Sequence, residues 1–163
     1  MVTLNNTGRG KMFTRSLVEY AVNEKGQKKA SYMYTTTNCG LLYFVNYSTR
    51  QIDKIIQIHE DRITTLMMSP VKRDFMVTAS INGILRLWSP DFSKLISEVN
   101  TQQPILSCDI NHKEIVVLAA NGTISMLDME ESTFNVILRS HLDNVHDLCY
   151  NRPGGKVVSI GKD

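Results

Sequence analysis

The sequence contains a turn signal that recurs at a nearly constant spacing. Asn82-Gly83 separates two apolar, β-rich runs, and this dipeptide is a strong hairpin signal because both residues readily adopt positive φ. Glycines at the matching place in successive runs are Gly40, Gly83 and Gly122, which lie 43 and 39 residues apart. The recurrence predicts a repeated β unit and not an isolated hairpin.

The run that precedes each turn repeats as well. Residues 63–66, 105–108 and 145–148 each begin with Ile or Val, and their starting points lie 42 and 40 residues apart. A period of about 40–45 residues with four strands per unit is typical of propeller blades. We therefore predict an all-β fold, a partial β-propeller of about three four-stranded blades and the start of another.

The period divides the chain into predicted units. Residues 1–14 form a leading segment or the outer strand of a preceding blade, and residues 15–58 form a degenerate blade. The best-preserved blade covers 59–100, a second degenerate blade covers 101–140, and a truncated blade covers 141–163. Closed propellers have about four to eight blades, so we expect the remainder of the propeller, from its own protein or a completing chain, to be a partner.

The unit at 59–100 resembles the WD-repeat family. It has His59 four residues before a strand, Ser80 at the end of the next strand, Asn82 in the turn, and Trp88-Ser89 where the family usually has Trp-Asp. The resemblance implies that the side chains of His59, Ser80, Asn82 and Trp88 form a buried hydrogen-bond relay within the blade. The family has Asp where Asn82 stands, and a neutral acceptor implies a weaker relay than a charged one.

The neighbouring units depart further from the family pattern. The third unit has Thr101, Ala119, Asn121 and Leu127 at the four relay positions, so it shares only the asparagine with the best-preserved unit. The fourth unit has His141 and Asp163 at two of those positions, but Gly161 where the serine would stand. The resemblance covers about residues 15 to 163 and depends on the period more than on any single motif.

Two stretches are similar to the WD-repeat scaffold proteins of centrioles and basal bodies. They are Leu85-Arg-Leu-Trp88-Ser-Pro-Asp91-Phe92-Ser93 with Glu98, and Leu127-Asp128 through Phe134 to Leu138-Arg139-Ser140-His141 with Asp143. This resemblance implies a non-enzymatic scaffold in the cytoskeleton, at the centriole, basal body or ciliary axoneme, with microtubule-wall or centriole inner-scaffold proteins as partners. The alternative is a generic cytosolic WD-repeat adaptor, such as a substrate receptor or a coat subunit.

Composition argues against several other classes of protein. Eighteen basic residues stand against sixteen acidic ones, and without a basic face the sequence does not indicate nucleic-acid binding. Cys39, Cys108 and Cys149 are an odd, widely spaced set, which favours a reducing compartment over a disulfide framework. No apolar run reaches membrane length, so no membrane partner is expected.

The four histidines do not indicate a metal site or an active site. His59 and His141 lie 82 residues apart, which is two periods and points to a structural role. His112 and His146 lack the companion ligands and spacing of a zinc site. We therefore predict no catalytic residues, no cofactor and no metal.

Overall fold

A computed structural model describes residues 10–70, 72–110, 114–129, 133–139, 145–151 and 155–161. Within these residues the chain forms fourteen strands and no helix. The first sheet contains β1 (Phe13–Val22), β2 (Lys28–Thr37), β3 (Leu41–Asn46) and β4 (Ile52–Gln57). The second contains β5 (Ile63–Met68), β6 (Met76–Ser80), β7 (Ile84–Trp88) and β8 (Leu95–Asn100). The third contains β9 (Ile105–Ile110), β10 (Glu114–Ala119), β11 (Thr123–Asp128) and β12 (Phe134–Arg139), and β13 (Val145–Asn151) pairs with β14 (Lys156–Gly161).

The strands of each sheet are antiparallel and adjacent in chain order, as in propeller blades. The predicted all-β fold of three four-stranded blades and the start of another is thus confirmed. β1 begins at Phe13, two residues before the predicted start of the first degenerate blade. Residues 1–9 of the predicted leading segment lie outside the described residues, as do His112, His141, Asp143 and Asp163.

Neighbouring blades pack face to face, and their first strands lie side by side in the order β1, β5, β9, β13. Side chains alternate between the two faces of a strand. One face of the second blade therefore joins a core with the third blade that includes Val77, Leu85, Ile105 and Ile115. The opposite face joins a core with the first blade, whose members include Tyr34, Leu42, Phe44, Ile63, Met76 and Phe92.

Hydrogen bonds between the first strands add to this apolar packing. The amide of Cys108 donates to Thr65 Oγ1 at 3.2 Å, and the amide of Tyr150 donates to Asp109 Oδ2 at 2.8 Å. Burial raises the pKa of the Cys108 thiol to about 12, so this cysteine packs as a neutral apolar group.

The turn glycines adopt the conformation for which glycine is needed. Gly40, Gly83 and Gly122 have φ of 77°, 88° and 76°. The carbonyl oxygen of Gly40 accepts hydrogen bonds from the amides of Ile58 and His59, at 3.0 and 3.1 Å. A Cβ at Gly40 would overlap the carbonyl oxygen of His59, so a side chain there would push away the loop that holds the histidine.

Candidate functional site

A buried histidine and a tryptophan share one hydroxyl group in the second blade. His59 lies in the β4–β5 loop with only 1% of its surface exposed, and its Nε2 is 2.8 Å from Thr78 Oγ1 on β6. Trp88 Nε1, on the neighbouring strand β7, donates to the same oxygen at 2.9 Å. The three side chains connect the loop to two strands of the blade, and we call them the relay.

The structure places the other two predicted relay residues elsewhere. Ser80 Oγ donates to the carbonyl of Arg62 at 3.0 Å, and Asn82 is exposed in the turn, where its Oδ1 accepts from the amide of Ile84 at 3.3 Å. The predicted relay included Ser80, whereas the hydroxyl that lies between the two rings is that of Thr78, two residues earlier on β6. Thr78 and Ser80 lie on the same face of β6, because side chains alternate along a strand. The sequence pattern alone does not distinguish them.

Arg86 also holds the histidine loop, a role that the sequence analysis missed. Its Nη1 donates to the carbonyl of Ile58 at 2.6 Å, and its Nε forms an ion pair with Glu98 Oε2 at 2.7 Å. Thr78, Arg86 and Glu98 are direct partners across β6, β7 and β8, so they form one row on one face of the sheet. In the sequence, the only indication of this contact is that Arg86 lies three positions after the turn glycine Gly83.

Burial, and secondarily the charge of Arg86, lowers the pKa of His59 to about 4. The imidazole is thus neutral near pH 7. Its Nδ1 is buried and has no hydrogen-bond partner among the described residues. In the part of the chain that the structure describes, no three His, Cys, Asp or Glu side chains come together in a way that could hold a metal ion. The geometry therefore supports a stabilising role for His59 in joining loop and sheet.

The third blade has a cavity where the second blade has these side chains. Val117, Ser125 and Val136 pair across β10, β11 and β12 as Thr78, Arg86 and Glu98 pair in the second blade. Thr101 donates its amide to the carbonyl of Gly83, as His59 donates to Gly40. The smaller side chains leave a cavity of about 190 Å³, lined in part by Thr101, Val117, Ser125 and Val136.

The cavity is lined by a polar group that has no hydrogen-bond partner among the described residues. Ser125 is only 4% exposed, and its hydroxyl makes no hydrogen bond to any described residue. Where the second blade holds a hydrogen-bonded arginine, the third blade thus has a small hydroxyl facing open space. The two blades therefore share a strand register, but hydrogen-bonded side chains fill in the second blade the space that is a cavity in the third.

Comparisons with known proteins agree with this architecture. No protein-family model matches the chain. The chain is 29% identical over 111 residues to Centriole proteome protein 16 of Chlamydomonas reinhardtii, a match that covers 67% of this chain and 5% of that protein. It is 23% identical over 178 residues to WD repeat-containing protein 90 of Xenopus tropicalis, covering 97% of this chain and 10% of that protein. It is 31% identical over 105 residues to Mitotic checkpoint protein BUB3.3 of Arabidopsis thaliana, covering 64% of this chain and 33% of that protein.

The chain thus spans between 5% and 33% of the length of these relatives. Among solved structures, the computationally designed Ika4 protein superposes with a TM-score of 0.64 at 17% identity, over 82% of this chain and 86% of that one. No helix within the described residues is long and apolar enough to cross a membrane. The strand order is that of a partial β-propeller, and in sequence the chain is similar to WD repeat-containing protein 90 and to Centriole proteome protein 16.

Proposed function

We propose that this chain is a non-enzymatic propeller segment that packs against other proteins in a centriolar, basal-body or ciliary microtubule assembly. The observation that carries the interaction role is a run of three consecutive apolar residues on the outer strand of the third blade, exposed on both of its faces. Val136, Ile137 and Leu138 follow one another on β12, and each has more than half of its surface exposed. An exposed apolar edge strand of this kind is typical of a surface that a protein partner covers.

The centriolar setting is supported by the names of the relatives. Centriole proteome protein 16 matches over two thirds of this chain, and three proteins named WD repeat-containing protein 90, from frog, human and mouse, also match. The partners that fit the proposal are microtubule-wall or centriole inner-scaffold proteins and the rest of the propeller. A cytoskeletal location at the centriole, basal body or axoneme belongs to the same proposal.

A second candidate is a generic WD-repeat adaptor, which the similarity to Mitotic checkpoint protein BUB3.3 favours. Tagging the endogenous protein and imaging it together with a centriole-wall marker distinguishes the two. The scaffold proposal expects a signal confined to centrioles, basal bodies or axonemes. A diffuse signal, with affinity capture that recovers soluble complexes and no centriole-wall component, would support the adaptor instead.

The edge strand provides a more specific test of the interaction role. Replacing Ile137 with Glu puts a charge on the exposed apolar strand without removing a core side chain, so the blade should remain folded. The scaffold proposal expects loss of the centriolar signal at an unchanged protein level. Glu98→Gln is not a suitable control because Glu98 pairs with Arg86, whereas exposed Glu60→Gln is.

A further inference from the structure

A groove of about 410 Å³ lies at the boundary between the first and second blades. Its lining is three aromatic rings, two carboxylates and one lysine, namely Tyr32, Tyr34, Phe44, Asp53, Lys54 and Asp91. We call it the aromatic groove. It opens near the end of the first blade that carries the β3–β4 turn, which is the opposite end of β4 from the loop that holds His59.

Packing between the blades fixes the aromatic side of the groove. Tyr34 and Phe44 face each other across β2 and β3 with ring centroids 5.3 Å apart and an interplanar angle of 84°. Phe92, from the β7–β8 turn of the second blade, packs on both rings. Tyr32 is stacked on Tyr34 at 6.3 Å. These contacts hold the rings in place before any ligand arrives, which lowers the entropy cost of binding.

Both carboxylates of the groove accept hydrogen bonds from neighbouring side chains. Tyr32 and Asn46 donate to Asp53 Oδ2 at 3.0 and 3.2 Å. The hydroxyls of Ser89 and Ser93 donate to Asp91 Oδ1 and lower the pKa of Asp91 to about 2. The second oxygen of each carboxylate takes no hydrogen bond from another described residue.

The chain itself already places a cation on one of the rings. Lys54 Nζ lies 5.2 Å from the centroid of the Phe44 ring, within the range of a cation–π contact. Lys54 is exposed, and the structure gives its ammonium no ion pair among the described residues. The groove therefore has two negative charges against one mobile positive charge, beside aromatic faces that attract cations.

We propose that the aromatic groove binds an arginine or lysine side chain presented by an extended basic segment of a partner protein. The inference rests on the proposed protein-interaction function and names the chemistry of one partner. Arginine fits the groove best, because its planar guanidinium stacks on aromatic rings and its fork of donors matches the geometry of a carboxylate. A ligand cation takes the place of the Lys54 ammonium, which moves into solvent.

The test measures binding of labelled peptides to the chain by fluorescence anisotropy. The probe is a peptide of repeated Arg-Gly dipeptides, and its control carries citrulline, the neutral isostere of arginine, at every arginine position. The chain should bind the arginine peptide in preference to the citrulline peptide. The double variant Asp53→Asn, Asp91→Asn should bind the arginine peptide about tenfold more weakly.

Two further variants separate this site from general attraction to an acidic surface. Lys54→Met keeps the aliphatic stem and removes the competing ammonium, so affinity for the arginine peptide should rise about threefold. Glu60→Gln removes an exposed carboxylate at the other end of β4 and should leave affinity unchanged. Circular dichroism of each variant verifies that the sheets are retained.

Several outcomes would overturn the inference. They are equal affinity for the two peptides, unchanged affinity in the double aspartate variant, or weaker binding by Lys54→Met. If the aspartate substitutions change the sedimentation coefficient and leave peptide affinity unchanged, the groove is a contact between two copies of the chain. The centriolar imaging experiment is independent, so a chain that localises to centrioles and binds neither peptide retains the proposed function and loses this inference.

Discussion

Val117 in the third blade occupies the register position that Thr78 occupies in the second. Each pairs across the sheet with the residue three positions after its turn glycine, Ser125 in one case and Arg86 in the other. Thr78 bonds to both rings of the relay, whereas Val117 lies in the apolar core with the second blade and beside the cavity. The exchange of this hydroxyl for a methyl group, together with the loss of the histidine, the arginine and the tryptophan, distinguishes a hydrogen-bonded blade from one held mainly by apolar contacts.

Thr78→Val should destabilise the chain more than Ser80→Ala. The first change leaves the Trp88 N–H and a nitrogen of His59 buried without a partner, which costs about 2–3 kcal/mol. The second removes one hydrogen bond to the carbonyl of Arg62, at about 1 kcal/mol. Urea denaturation, with the free energy of unfolding taken at equal slope, measures both.

If Ser80→Ala instead lowers the free energy of unfolding more than Thr78→Val, then Thr78 is not the hydroxyl that the two rings share. A third variant, Trp88→Phe, keeps most of the ring and removes the indole donor. Because Trp88→Phe leaves Thr78 bonded to His59, it should lower the free energy of unfolding less than Thr78→Val does.

Gly40→Ala should be far more damaging than Gly26→Ala, although both glycines have positive φ. At Gly26 the new Cβ would meet nothing within 4 Å, so only the backbone penalty of about 1 kcal/mol remains. At Gly40 the Cβ overlaps the backbone of His59, and the relay loop must move. Thermal melting followed by circular dichroism measures the difference, and equal melting temperatures would mean that the loop yields freely.

The period and the hairpin signals were sufficient to predict the strands. For instance, the repeated runs at 63–66 and 105–108 lie in β5 and β9, because alternating apolar residues between turn signals specify strand and register together. The side-chain contacts were harder to predict from the sequence. Two hydroxyls on one face of β6 fit the same pattern, and only the position of the β4–β5 loop decides between them.

Phe92 is a second feature that the sequence could not predict. It adopts a φ of 58°, a conformation that a bulky side chain rarely takes, and it is 4% exposed among the rings of the first blade. Local preference favours glycine or asparagine there. The packing between blades outweighs that preference, and such contacts between distant segments leave no local signal.

Ser125→Val should leave the chain equally stable or slightly more stable. The serine hydroxyl makes no hydrogen bond to the described residues, so little is lost on its removal. The added methyl groups extend into the cavity and gain up to about 1 kcal/mol from burial. Chemical denaturation checks the result, with Ser80→Ala as the matched serine that does have a partner. A loss of more than about 1 kcal/mol would indicate an ordered water or ligand on this hydroxyl.

The stability of the chain should fall as the pH drops from about 6.5 to about 4, because of His59. The pKa of this group is lowered from 6.5 to about 4 in the folded state, so within that window the unfolded chain binds more protons. The contribution of His59 to the free energy of unfolding is fully present above pH 6.5. It is lost as the pH falls towards 4, and the loss amounts to about 3 kcal/mol. Asp91, whose pKa falls from 3.8 to about 2, acts only below this window.

Two histidine variants assign this pH dependence to its source. His59→Gln removes the titrating ring, so its denaturation midpoint should be flatter between pH 6.5 and 4 than that of the unmodified chain, although it is lower at pH 7 because the relay is broken. His146→Gln, which removes an exposed histidine on β13, is the matched control. If His59→Gln retains the full acid destabilisation, then the imidazole is protonated in the folded chain. It would then have to be stabilised by a group near its buried Nδ1.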